Sequence, residues 1–102
     1  MKYRVIYEPE AQNDLLEIYD YIAGRSDPLT ALHYIERIES GCDALAVFPL
    51  RGSSVADVRT GLRIVGFERG VSIAFAIVGE AVKIVRILYG GRDLAAIDFA
   101  SG

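Results

Sequence analysis

Little in these 102 residues is suited to covalent or metal chemistry. There is one cysteine, Cys42, so no internal disulfide can form, and one histidine, His33, so no Cys/His set with metal-ligand spacing exists. No cofactor or metal is expected. No apolar run approaches the ~20 residues of a membrane span, and the N-terminus lacks a signal-type apolar core. A cytoplasmic location away from any membrane is the default expectation. There is no internal repeat, linker or low-complexity tract, so residues 1–102 read as a single domain. Basic excess is also missing: the net charge is −3 and the pI about 5.0, which disfavours direct nucleic-acid binding by the chain alone.

What the chain does have is apolar sequence. The hydrophobic fraction of 52% indicates a compact fold. The stretch from Gly61 to Tyr89 holds three β-rich runs, expected as strands at Leu62–Phe67, Val71–Val78 and Val82–Tyr89. Glu68-Arg69-Gly70 fits a three-residue hairpin loop, and Gly79-Glu80 a two-residue loop with Gly first. Strict alternation would put Val71, Ile73, Phe75 and Ile77 on one face of the middle strand, and Ala74, Ala76 and Val78 on the other. In the last strand it would put Val82, Ile84, Arg86 and Leu88 opposite to Val85, Ile87 and Tyr89. Both faces of this meander are apolar, so both need cover.

Upstream, Lys2–Tyr7 alternates and is β-prone. Pro9 suits a first helical turn, and Ala11, Leu15, Ile18, Tyr19 and Ile22 recur at helical spacing, giving a helix over 9–24 closed by Gly24. Asp27-Pro28 restarts a second helix over 28–47, with Ala31, Ile35, Ile38, Cys42 and Leu45 on its seam. Gly41 inside it has no explanation in the sequence. After Tyr89, Gly90-Gly91 breaks the last strand, and Asp93 can cap a short helix at Leu94–Phe99. The expected fold is α+β in the order β-α-α-β-β-β, with a helical hairpin packed on one face of an antiparallel sheet. The other face should keep an apolar surface of the kind that marks a partner site.

Signals for catalysis are poor. His33 sits just outside the apolar seam, and Asp14, Glu17 and Asp20 read as the wet face of the first helix. No catalytic residue is assigned. Arg86 is out of place on an apolar strand face, where a charge is costly unless paired. It either holds a carboxylate or backbone carbonyls, or serves function directly. Charge is split along the chain: residues 1–50 carry four basic and nine acidic groups (4 − 9 = −5), residues 51–102 seven and five (7 − 5 = +2).

Four phrases in order carry a family resemblance. They are Ala11-Gln12-Asn13-Asp14-Leu15-Leu16-Glu17-Ile18-Tyr19-Asp20-Tyr21-Ile22, Phe48-Pro49-Leu50-Arg51-Gly52, Gly61-Leu62-Arg63, and Ile84 through Asp93. Together they resemble the A-x-x-D-L-x-x-I-x-x-Y-I, P-x-x-G, G-L-R and I-x-R-V-L-H-G-x-R-D patterns of ParE toxins, in the RelE/ParE superfamily of type II toxin–antitoxin systems. Tyr89 stands where His is usual.

The resemblance implies a toxin that inhibits DNA gyrase and is neutralised by a ParD-like antitoxin in a hetero-oligomer. The alternatives are a RelE-like ribosome-dependent mRNA endoribonuclease, or an inactive relative that only binds its antitoxin. RelE-like toxins place an Arg in the middle meander strand, an Arg just after the last strand and a Tyr in the terminal helix. Here Arg92 can match the second, Ser72 occupies the first, and the terminal segment has no Tyr. Gyrase inhibition is therefore preferred. Candidate target-binding residues are Arg63, Arg86, Tyr89 and Arg92, with Arg63 expected at the opposite end of the sheet from Tyr89 and Arg92. Candidate antitoxin anchors are Tyr19, Phe67 and Phe75, because large aromatics dominate interface energies.

Overall fold

The computed structural model describes residues 3–56, 59–68 and 70–90. Arg92 and the expected helix at 94–99 lie outside the described residues. The observed elements are β1 (Arg4–Tyr7), α1 (Pro9–Arg25), α2 (Pro28–Ala44), a two-residue β2 (Ser53–Ser54), β3 (Leu62–Phe67), β4 (Val71–Val78) and β5 (Ala81–Tyr89). They form one five-stranded sheet in the order β1-β5-β4-β3-β2. All neighbours pair antiparallel except β1 and β5, which run parallel from Arg4↔Ala81 to Tyr7↔Ile84.

The helices start as the sequence dictates. Pro9 occupies the first turn of α1, where its missing N–H is no loss. Asp27 caps α2: its Oδ1 accepts from Thr30 N at 2.9 Å and its Oδ2 from Thr30 Oγ1 at 2.9 Å. Those bonds hold the Asp27 carboxyl below the usual range. The ends differ slightly from expectation. Gly24 stays inside α1, and α2 stops at Ala44, followed by turns in which Leu45 N donates to Cys42 O and Val47 N to Ala44 O. Gly70 and Gly79 take φ of 81° and 60° in the two hairpin turns, which an L side chain adopts only with strain.

The hairpin of helices lies on one face of the sheet. Ala11 and Ile18 from α1, Ile38, Cys42 and Leu45 around α2, Val71, Ile73 and Phe75 from β4, and Val82, Ile84 and Ile87 from β5 form the main core. Here the strict alternation expected for β5 fails. The β4–β5 register passes from Phe75↔Ile84 to Ala74↔Arg86, leaving Val85 as the extra residue of a β-bulge. The bulge changes the phase, so Ile87 and Tyr89 join Val82 and Ile84 against the helices, while Val85 packs with Leu62 and Ala74 on the far face.

That far face is not bare as expected. Leu62, Ala74, Val85, Ala81 and Leu88 are buried, with Val55 packed over the second cluster. The connection holding Val55 folds back on β3 through Val55 N to Leu62 O and Leu62 N to Arg59 O, at 2.9 and 3.1 Å. The exposed large apolar side chains lie elsewhere. Leu16, Tyr21, Leu29 and Leu32 are on the helices, Ile6 on β1, Val47, Phe48 and Leu50 behind α2, and Val78 at the end of β4.

Candidate functional site

Where β1 ends, one edge of β5 loses its strand partner. Glu8 N makes the last bond of that ladder, to Ile84 O at 2.9 Å, and the chain turns into α1. Asp14, one turn into α1, takes over. Its Oδ2 accepts from Ile87 N at 2.8 Å. The same carboxylate receives the fork of Arg86, Nε to Oδ2 at 2.7 Å and Nη2 to Oδ1 at 2.9 Å. Asp14 is only 3% exposed, so its placement on the wet face of the helix is corrected: it is the one buried charged side chain of the described residues. The carboxylate also raises the Arg86 pKa, first through the hydrogen bonds, against the opposing effect of burial. Arg86 is thus a paired residue whose guanidinium is turned to α1.

Tyr89, two residues on, packs edge-on against Tyr21 of α1 and Tyr34 of α2, with ring centroids 5.7 and 5.9 Å away. Arg25 stands 4.8 Å over the Tyr21 ring and Arg37 5.1 Å over the Tyr34 ring. Arg37 in turn pairs with Glu68 at 3.0 Å. Burial, then the neighbouring Tyr89 and Glu68, push the Tyr34 hydroxyl pKa up. A cleft of about 400 Å³ opens beside these rings, lined by Asp14, Glu17, Ile18, Tyr21, Ile87, Tyr89 and Gly90. Tyr89 is therefore part of a three-ring cluster that sequence reading did not see.

Arg63 lies at the start of β3, level with the middle of β4 and β5 and four β4 residues away from the level of Tyr89. It pairs with Phe75, which faces Ile84, whereas Tyr89 pairs with Val71, which faces Phe67. Its side chain clamps the loop after α2: Nη2 donates to Leu50 O at 2.9 Å and to Gly52 O at 3.3 Å, and Nε to Arg51 O at 3.2 Å. Among the described residues, then, Arg63 and Arg86 are both engaged by the fold and do not converge on a common point.

Of the three antitoxin anchors, Phe75 is corrected. It is 0% exposed, in the middle of the core under the helices, because odd-numbered β4 residues face the hairpin. Phe67 is half-buried against α2. Tyr19 is half-buried on a groove of about 670 Å³ between the outer strand β1 and the two helices. Val5, Ile6, Leu15, Leu16, Leu32 and Ile35 supply its apolar lining, with Gln12 and Glu39 beside them. Beneath it, burial pushes the Cys42 thiol up to about 11, and Tyr7, hydrogen-bonded to that thiol, is also pushed up mainly by burial. No described helix is long and apolar enough to cross a membrane, and no three His, Cys, Asp or Glu among the described residues are grouped to hold a metal.

A helical hairpin on a sheet whose first strand runs parallel to its last makes this an α+β protein, and comparison with known proteins gives its family. Residues 5–94 match the family described as ParE toxin of type II toxin–antitoxin system, parDE. Toxin ParE3 of Caulobacter vibrioides is 32% identical over 93 residues, covering 91% of this chain and 92% of that protein. The chain belongs to the ParE family of type II toxins. In structure it superimposes on a chain of the chromosomal ParDE TA system from P. aeruginosa with a TM-score of 0.75 and 26% identity, covering 86% of this chain and 96% of that one. A chain of the RelBE2 toxin–antitoxin complex from Mycobacterium tuberculosis shares the fold, with a TM-score of 0.58 and 18% identity over 88% of this chain and 100% of that one.

Proposed function

We propose that this ParE-family toxin acts on DNA gyrase by binding it, without chemistry of its own, and that a ParD-like antitoxin neutralises it by direct binding in a hetero-oligomer in the cytoplasm. The observation that supports the non-catalytic part of this reading is the engagement of Arg63 and Arg86, among the described residues. Cleavage of RNA calls for cationic groups converging within hydrogen-bond reach of one phosphate. Arg63 is instead spread over three carbonyls, and Arg86 is turned into the fold by Asp14. Contacts spread along a surface suit a protein target, where a few residues dominate. Family membership supports gyrase as that target, and the aromatic end of the sheet around Tyr89 is the surface assigned to it.

The antitoxin is assigned to the groove beside β1. An outer strand next to an apolar groove suits strand addition or an amphipathic helix. Gln12 and Glu39 line its edge and Glu8 follows β1, so the incoming segment should be apolar on one face and carry basic groups beside it.

The test is a pair of assays on purified toxin. Supercoiling by gyrase should be inhibited, with cleaved DNA accumulating, and antitoxin should reverse the effect. mRNA on translating ribosomes should stay intact. Codon-specific mRNA cuts would overturn the reading in favour of a ribonuclease, and no effect in either assay would mark an inactive relative.

A further inference from the structure

The first and last phrases of the family resemblance meet at one carboxylate, through Asp14 in the first and Arg86, 72 residues on, in the last. We propose that Asp14 is a positioning residue for toxicity: by hooking the Ile87 N–H it fixes the end of β5, and so holds Tyr89 where the target is contacted.

Strand β5 needs such a hook for a local reason. Up to Ile84 its outer edge is paired to β1, but from there α1, not a strand, runs alongside. The bulge at Val85 turns Ile87 N toward that helix, where a buried N–H without an acceptor would be costly. Asp14 Oδ2 replaces the missing strand carbonyl. An unpaired carboxylate at 3% exposure would itself be unfavourable, and the Arg86 fork neutralises it. The three groups therefore depend on one another.

Seven residues along α1, two full turns, Tyr21 touches Tyr89, which stands two residues beyond Ile87 on the same side of β5. Helix and strand are thus joined at two points, Asp14 to Ile87 and Tyr21 to Tyr89. On the other side, Gly90 N donates to Gly70 O at 2.9 Å. Releasing the first point leaves Tyr89 tied to α1 by the aromatic contact alone, with β4 still paired on its other side. The antitoxin groove lies along β1 and the opposite flank of the hairpin, and does not include Asp14, Arg86 or Tyr89. The two interactions should separate.

The inference rests on the reading of the Tyr89 end as the target-binding surface, and the experiment keeps the two apart. Tyr89→Ala tests the surface itself. Asp14→Asn keeps an acceptor for Ile87 N–H. The double variant Asp14→Ala/Arg86→Met removes the hook without leaving a lone buried charge. We expect the double variant to exchange the Ile87 amide at least about tenfold faster and to inhibit gyrase at least about tenfold less, with antitoxin affinity within about twofold of wild type. Asp14→Asn should stay within about threefold of wild type in both properties. If the double variant does not fold, Asp14→Ser, too short to reach Ile87 N, is read by the same criteria.

Wild-type inhibition in a folded, antitoxin-binding protein with rapid Ile87 exchange would overturn the proposal. So would a loss of inhibition matched by an equal loss of antitoxin affinity, which would make Asp14 a purely structural residue. If Tyr89→Ala alone leaves inhibition intact, the surface is misassigned, and a toxicity loss confined to the Asp14 variants would overturn the positioning route through Tyr89. Should the wild type leave gyrase untouched, the gyrase reading fails by itself, and growth arrest on expression replaces supercoiling as the readout for the same variants.

Discussion

The ring of Phe67 lies where the side chain of residue 41 would be. A Cβ added to Gly41 would stand 2.7 Å from Phe67 Cδ1 and 2.9 Å from Cε1, closer than real contacts allow. This is the reason for a glycine in the middle of α2: it lets β3 bring an aromatic ring against the helix.

Two opposing effects meet in Gly41→Ala. Alanine improves helix propensity by about 1 kcal/mol, while overpacking a filled contact costs about 1–3 kcal/mol. The clash should win, with a net loss of about 1 kcal/mol. In a Phe67→Ala background the same substitution should gain about 1 kcal/mol, since only propensity is left. Urea denaturation of the four proteins gives the cycle. Equal effects of Gly41→Ala in both backgrounds would show that the ring moves aside freely.

Arg63 should prove a stability residue. Its three carbonyl acceptors lie in consecutive residues, and the planar guanidinium serves them with two nitrogens. Arg63→Ala should cost about 1 kcal/mol, discounted for partial exposure, and Arg63→Lys should recover little of it because an ammonium cannot make the fork. Toxicity lost by Arg63→Ala should return at reduced temperature, where the folded fraction is restored. A folded Arg63→Ala that stays non-toxic at every temperature would give Arg63 a direct role.

Alkaline pH should loosen the core around Cys42. The thiol pKa rises from 9.0 to about 11 because burial opposes the thiolate. The folded value is above the unfolded one, so the stability tied to the neutral thiol is complete below pH about 9 and is lost as pH rises toward about 11. The loss is on the order of 3 kcal/mol from about 1.4 kcal/mol per pH unit. Tyr7, raised by the same burial, extends the decline to higher pH. Urea midpoints measured from neutral pH upward should fall in this window, and Cys42→Ala should flatten the fall. An identical alkaline limb in Cys42→Ala would exclude the thiol as its source.

The elements were legible because their signals are local. Pro9, Asp27-Pro28 and the glycine turns set boundaries, and the periodicity of β3 and β4 set faces. What escaped was set by contacts distant in sequence. The bulge at Val85 leaves no mark in an apolar run, yet it moves Ile87 and Tyr89 to the helix side. Asp14 did leave a signal. It lies three residues after Ala11 and four before Ile18, on the buried stripe of α1, and Arg86 in an apolar strand needed a partner. Reading polar residues as outward by type, and not by phase, hid the pair. Phe75 was misplaced as an anchor for a related reason: both faces of β4 are apolar, and composition alone does not say which one the helices take.

The antitoxin surface is tested by substitutions that spare the core. Leu16 and Leu32 are 64% and 46% exposed and line the groove beside β1, so a charge there costs the isolated toxin little. Against an apolar, basic-faced partner segment, Leu32→Glu buries a carboxylate on binding, and each variant should weaken antitoxin affinity by at least about tenfold. Tyr19→Ala should act in the same direction, since its ring is half-buried in the same groove. Phe75→Ala should behave differently. It removes the largest fully buried side chain of the described residues and should cost about 3–5 kcal/mol of folding stability, so any loss of binding follows from unfolding. Calorimetric titration of each folded variant with the antitoxin, alongside thermal melts, separates the two effects. If Leu16→Glu, Leu32→Glu and Tyr19→Ala all melt like wild type and bind with unchanged affinity, the antitoxin lies on another face, and the exposed Val47, Phe48 and Leu50 cluster behind α2 becomes the surface to test.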